Sequence, residues 1–223
     1  MMTFRNYLSA MAALTLGLAS TSASAAVFEY QNDGGTFGGQ GGAYSFNSIY
    51  GSYDTVSEDF VWAVDYDTTA ADGGWLVLSD GPNPKVADDQ LAILYFDALT
   101  EEVWAYAYNG LNNNKSYLTT DFLGYFQNAY TTVGTLATLS INVAAINDVL
   151  SEGVMFDTSI GIWFHPSFNV TTAINPDGSL AQFSSNTTVW YDTKNETATE
   201  VPAPAAPLLL GGALLLLAGA RRR

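Results

Sequence analysis

Very few side-chain types in this sequence could carry chemistry. None of the 223 residues is cysteine, which excludes thiolate nucleophiles, disulfides and cysteine-ligated metals. One histidine, His165, stands in I-G-I-W-F-H-P, at the end of an apolar stretch and before a proline. A single imidazole cannot build a His-rich metal centre or a two-histidine relay, and no G-x-S-x-G or H-E-x-x-H motif occurs. His165 therefore reads as a structural residue. Glycoside hydrolysis needs two carboxylates about 5–9.5 Å apart. The closest run, Asp65-Tyr-Asp67-Thr-Thr-Ala70, lacks both terminal glutamates of an E-x-D-x-x-E arrangement. The expectation is a protein that is not an enzyme, with a secreted glycosidase as the last alternative.

Two binding constellations remain. Loop carboxylates are hard oxygen ligands, so Asp65, Asp67 and Asp72 form a candidate calcium set, although none lies in an EF-hand loop. The competing reading is a solvated acidic surface that keeps the protein soluble. The segment Tyr108-Asn-Gly-Leu-Asn-Asn-Asn-Lys-Ser-Tyr117 could contact a glycan through Tyr108, Asn109, Asn112, Asn113 and Tyr117. Asn amides donate to and accept from hydroxyls, and a Tyr ring offers a flat apolar face. The plainer alternative is a polar hairpin loop.

Charge narrows the partners. The chain has 22 acids, seven bases and a net charge of −15. Between residues 26 and 200 all 22 acids face only Lys85, Lys115 and Lys194, which leaves that body at −19. Nucleic acid is excluded as a partner, because its binding needs positive charge against phosphates.

The body must position any such site with strands. In Phe60–Tyr66, Phe60, Trp62, Val64 and Tyr66 share one face. In Val103–Tyr108, Trp104, Tyr106 and Tyr108 oppose Val103, Ala105 and Ala107. Trp75–Leu78 and Leu91–Phe96 are continuous apolar runs, as in strands buried on both faces. Further strands are expected at 43–50, 136–143, 160–164, 168–174, 180–184 and 188–191. Asn175-Pro-Asp-Gly178 is a hairpin turn. One short helix is expected at Val143–Leu150, with Ile146, Val149 and Leu150 on one face. The Gly-rich segment 31–42 reads as a mobile loop. Many short strands in one body predict an all-β fold, an antiparallel β-sandwich of jelly-roll type, with Trp62 and Trp104 in its core.

The two ends carry addresses. Arg5, the apolar stretch Leu8–Ala19, and Ala23 and Ala25 in an A-x-A arrangement predict a signal peptide over 1–25, cut by signal peptidase after Ala25 or, second, Ala26. At the other end, three prolines precede the 13 apolar residues Leu208–Ala220 and then Arg221, Arg222 and Arg223. That run spans only about 20 Å as a helix, short for a bilayer. The Arg cluster would hold it with its end on the cytoplasmic side.

Val201, Pro202, Pro204 and Ala205, the Leu/Gly/Ala run and the Arg cluster together resemble a PEP-CTERM sorting signal of Gram-negative bacteria, in its VPLPA-like variant. Ala203 departs from that pattern. The resemblance covers residues 201–223. It implies recognition by an exosortase-type membrane enzyme and delivery to the cell surface or the exopolysaccharide matrix. The stretches W-L-V-L-S-D-G-P-N-P-K and Y-N-G-L-N-N-N are similar to uncharacterised exported proteins with such tails. By analogy the strand pattern resembles concanavalin A-like sandwiches. The function expected is that of an exported, non-enzymatic surface or matrix protein with a structural or adhesive body. A carbohydrate-binding module facing extracellular polysaccharide is the first alternative.

Overall fold

The computed structural model describes residues 26–39, 44–79, 84, 91–108, 110, 115–150, 161–186, 189–194 and 196–202. Ala23 and Ala25 of the predicted signal, Asn109, Asn112 and Asn113, and everything after Pro202 lie outside them. Pro204, Ala205, the predicted apolar span and Arg221–Arg223 are thus not described. No helix among the described residues is long and apolar enough to cross a membrane.

In chain order the strands are β1 (Ala26–Asn32), β2 (Gly35–Thr36), β3 (Gly38–Gly39), β4 (Ser45–Asp54), β5 (Asp59–Tyr66), β6 (Gly73–Ser79), β7 (Leu91–Asp97) and β8 (Glu102–Ala107). They continue with β9 (Phe122–Phe126), β10 (Tyr130–Val133), β11 (Leu136–Asn142), β12 (Gly161–Ile174), β13 (Leu180–Asn186), β14 (Val189–Asp192) and β15 (Thr199–Pro202). A 3₁₀ turn covers Ser116–Leu118, and a single-turn helix, α1, covers Ala144–Asn147. The first sheet runs β10-β11-β5-β4-β1-β15, with β2 added to β4. The second runs β3-β14-β12-β6-β7-β8-β9, with β13 added to β12. Every pairing is antiparallel.

The two sheets enclose one core. Trp62 of β5 meets Phe164 of β12 edge-on at 5.8 Å, and Phe96 of β7 packs on Tyr130 of β10 at 4.7 Å. Because successive strand residues face opposite ways, Leu76, Leu78, Leu94, Phe96, Val103 and Ala105 fill this core from the second sheet. Their neighbours Trp75, Val77, Ile93, Tyr95, Trp104 and Tyr106 point out of the sandwich, yet they are buried too. A second cluster covers them. The β12–β13 hairpin lays Leu180 and Phe183 over this face, and the 3₁₀ turn adds Tyr117. Two phenols pin the cover, as the Leu180 amide donates to Tyr106 Oη at 2.7 Å and the Phe183 amide to Tyr117 Oη at 3.1 Å.

The antiparallel all-β sandwich agrees with the pattern of the sequence. Trp62 lies in the inter-sheet core, whereas Trp104 belongs to the outer cluster instead of sharing that core. The sandwich-facing side of β8 is the small one, Val103 and Ala105. The expected strands at 160–164 and 168–174 are one strand, β12. Pro166 has no N–H to donate; it falls between the stretch paired to β14 (Trp163, Phe164) and the stretch paired to β13 (from Phe168). The expected helix shrinks to one turn, with Ile146 buried but Val149 58% exposed. Within the segment expected as a loop at 31–42, Gln31 and Asn32 end β1, Asp33 and Gly34 lead into the short strand β2, and Phe37 separates β2 from the short strand β3; residues 40–42 lie outside the described residues. Gly35 and Gly38 let the rings of Phe46 and Trp190 lie against the chain, where an added Cβ would stand 2.9 and 2.8 Å from them.

Candidate functional site

The two predicted processing points meet at one sheet edge. Among the described residues β15 pairs with β1 alone, in the register Ala26↔Pro202, Val27↔Val201, Phe28↔Glu200 and Glu29↔Thr199. Val201 and Pro202 of the tail motif therefore belong to the sheet, and the boundary expected after residue 200 falls inside β15. The start of β1 is held firmly. The Ala26 amide donates to Thr55 Oγ1 at 3.1 Å, and the Thr55 amide and hydroxyl donate back to the Ala26 carbonyl, each at 3.0 Å.

Beside this edge lies a groove of about 320 Å³, walled by Glu29, Gln31, Tyr50, Thr197, Thr199 and Val201. Glu29 and Gln31 are two apart on β1 and so face the same way. Gln31 sits opposite Tyr50 of β4, and Glu29 opposite Thr199 of β15. The Tyr50 hydroxyl donates to Glu29 Oε1 at 3.0 Å. Burial, then the neighbouring Glu29, raises the Tyr50 phenol above its ordinary value, with Ser52 acting the other way. Reading the sequence for function missed this site because β1 and β15 were not recognised as strands. The signal was available in Val27, Glu29 and Gln31, whose alternation places one set of side chains on one face.

The calcium candidates do not gather. Asp65 accepts from Thr135 Oγ1 at 2.6 Å and from Asn47 Nδ2 at 3.2 Å. Asp67 accepts from Ser45 Oγ. Asp72 Oδ2 accepts the Asn169 amide at 2.7 Å, supporting a residue whose φ is 54° at an irregularity of β12. Among the described residues no three His, Asp or Glu are grouped to hold a metal ion. Asp97, 2% exposed, does similar structural work by accepting from the Leu99 amide and from Thr172 Oγ1.

Of the glycan candidates, Tyr108 and Tyr117 are 7% and 9% exposed, with both rings in the outer cluster. A sugar could stack on either only after displacing what already packs there. Burial pushes the Tyr108 phenol up to about 12; for Tyr53, burial followed by Glu58 and Asp54 has the same result. A group with a raised folded value contributes stability that is complete below its unfolded value, near 10, and is lost as pH climbs through about 12. The expected result is a cooperative alkaline transition of the full chain between those values. Tyrosinate absorbance and loss of β-sheet circular dichroism should rise together. Tyrosines titrating near pH 10 with the sheet signal intact would refute it.

His165 lies within β12, not at a strand end. Its ring stacks on Trp75 at 3.9 Å and meets Trp163 edge-on at 4.8 Å. Comparison with family models, curated proteins and solved structures gives no match.

Proposed function

We propose that this chain is an exported, non-enzymatic surface or matrix protein with a structural or adhesive body. In this reading signal peptidase removes residues 1–25. An exosortase-type enzyme then acts on the tail that begins at Val201. One observation carries it, the antiparallel pairing Ala26↔Pro202. It supports the reading because the two apolar address segments would leave the body side by side, from one edge of one sheet. A body attached in that way is tethered at one end and keeps its other surfaces open to the matrix. The short apolar run and its terminal arginines support a segment held at the membrane only until it is processed.

The test is the intact mass and N-terminal sequence of the protein recovered from the surface fraction of its own cells. The expected form starts at Ala26 or Val27 and ends near Val201–Pro204, without Arg221–Arg223. Retention of Met1 would refute export by a cleaved signal. A mass including Arg223 would refute tail processing. Replacing Arg221–Arg223 by Glu should leave the protein out of the surface fraction, since the cytoplasmic anchor charge is reversed.

A further inference from the structure

We propose that the groove between β15, β1 and β4 binds a short saccharide chain that carries no negative charge. The proposal rests on the adhesive half of the function above and not on the sorting half. Its volume, about 320 Å³, lies at the lower end of the roughly 300–1,000 Å³ typical of small-molecule sites. Tyr50 is half-buried, and its polar tip is tied to Glu29, so the ring is held in place instead of swinging in solvent. A fixed aromatic side chain gives the C–H face of a sugar a flat apolar surface at little entropic cost. Around it stand an amide (Gln31), a carboxylate (Glu29) and the exposed hydroxyls of Thr197 and Thr199. These groups donate and accept in several directions, as a ring of sugar hydroxyls requires.

Charge chooses among sugars. Glu29 is in the groove, Glu196 and Glu200 are exposed on the chain that forms one wall, and the 26–200 body carries −19. Uronate, sulfated or phosphorylated chains meet repulsion there, whereas neutral and amino sugars do not. The groove also depends on the edge strand, because Thr199 and Val201 form its wall only while β15 is paired with β1.

The experiment titrates the full chain, in mild detergent, with three tetrasaccharides of glucose, glucosamine and galacturonate, followed by calorimetry. Saturable binding of the glucose or glucosamine probe is expected, with none of the galacturonate probe. Tyr50→Ala should weaken it about tenfold or more, while Tyr50→Phe, which keeps the ring, should stay within about threefold. Gln31→Ala removes an exposed side chain and should weaken binding about threefold or more. It decides the matter if Tyr50→Ala fails to fold. Absence of binding by both uncharged and amino probes overturns the proposal. So does binding unchanged in Tyr50→Ala or, where that variant is unfolded, in Gln31→Ala, and so does galacturonate binding of equal strength. Sorting is read by mass in cells, so either reading can fail while the other stands.

Discussion

Gly74→Ala should destabilise the body by about 2–6 kcal/mol, a large share of what holds such a domain folded. Gly74 has a φ of 150°, a backbone region where a side chain is strained by about 1–3 kcal/mol. A Cβ there would also stand 2.2 Å from the His165 carbonyl oxygen on β12, with the Phe96 ring at 3.1 Å. That oxygen belongs to a central strand and cannot swing aside as a flexible side chain could. Overpacking of this kind adds about 1–3 kcal/mol, so the sum is about 2–6 kcal/mol. A domain is stable by only about 5–15 kcal/mol in all. Gly73→Ala should also be costly, because its Cβ would meet the Phe96 carbonyl oxygen on the other flank, at 2.2 Å. Gly134→Ala is the control. It has a φ of 64° and nothing within 4 Å of an added Cβ, so only the left-handed backbone penalty of about 1–2 kcal/mol applies. Denaturant unfolding of the three full-length variants measures this. A Gly74→Ala protein as stable as Gly134→Ala would show that β6 does not need its neighbours so close.

Trp104→Ala should destabilise the body by about 3–5 kcal/mol, the usual cost of emptying a large buried aromatic site. Trp104 is wholly buried in the outer cluster, and the β12–β13 hairpin covers that cluster. Trp62→Ala should cost a similar amount, from the other cluster. The indole N–H groups of both residues are buried without a hydrogen-bond partner among the described residues. Trp→Phe therefore sacrifices volume but no hydrogen bond, and about 1–2 kcal/mol is expected for each. The milder pair allows a double-mutant cycle. Residues in separate clusters add to within about 0.5 kcal/mol, whereas residues sharing one core couple by about 0.5–3 kcal/mol. Additive Trp62→Phe and Trp104→Phe effects are expected in denaturant unfolding. Strong coupling would mean that the second sheet does not separate two hydrophobic layers.

The architecture was legible where the pattern was long. Phe60–Tyr66 alternates over a full strand, and Trp75–Leu78 and Leu91–Phe96 lack polar interruptions. Those stretches became β5, β6 and β7. The short strands β2, β3, β9, β10 and β15 were not legible. Length alone does not explain this, because the four-residue β14 was legible from Val189, Trp190 and Tyr191; these strands exist because a neighbour offers them an edge. Asp65, Asp67 and Asp72 show the same limit for sites. Their spacing suggested shared ligation, but each carboxylate accepts from its own donors: Asp65 from Thr135 and Asn47, Asp67 from Ser45, and Asp72 from the Asn169 amide.

The sequence by itself determined the class of the body, its acidity and the apolar segments at both ends. These properties are local, since they depend on composition and on periods of two along the chain. Only the tertiary structure decided which side of β8 faces the sandwich, because alternation defines two faces without saying what covers either. Only the tertiary structure brought Ala26 beside Pro202 and set Glu29, Tyr50 and Thr199 around one groove. Those groupings join positions far apart in the chain through backbone hydrogen bonds in the sheet. Such bonds are made by groups common to nearly every residue, so they leave no mark of their own in the sequence.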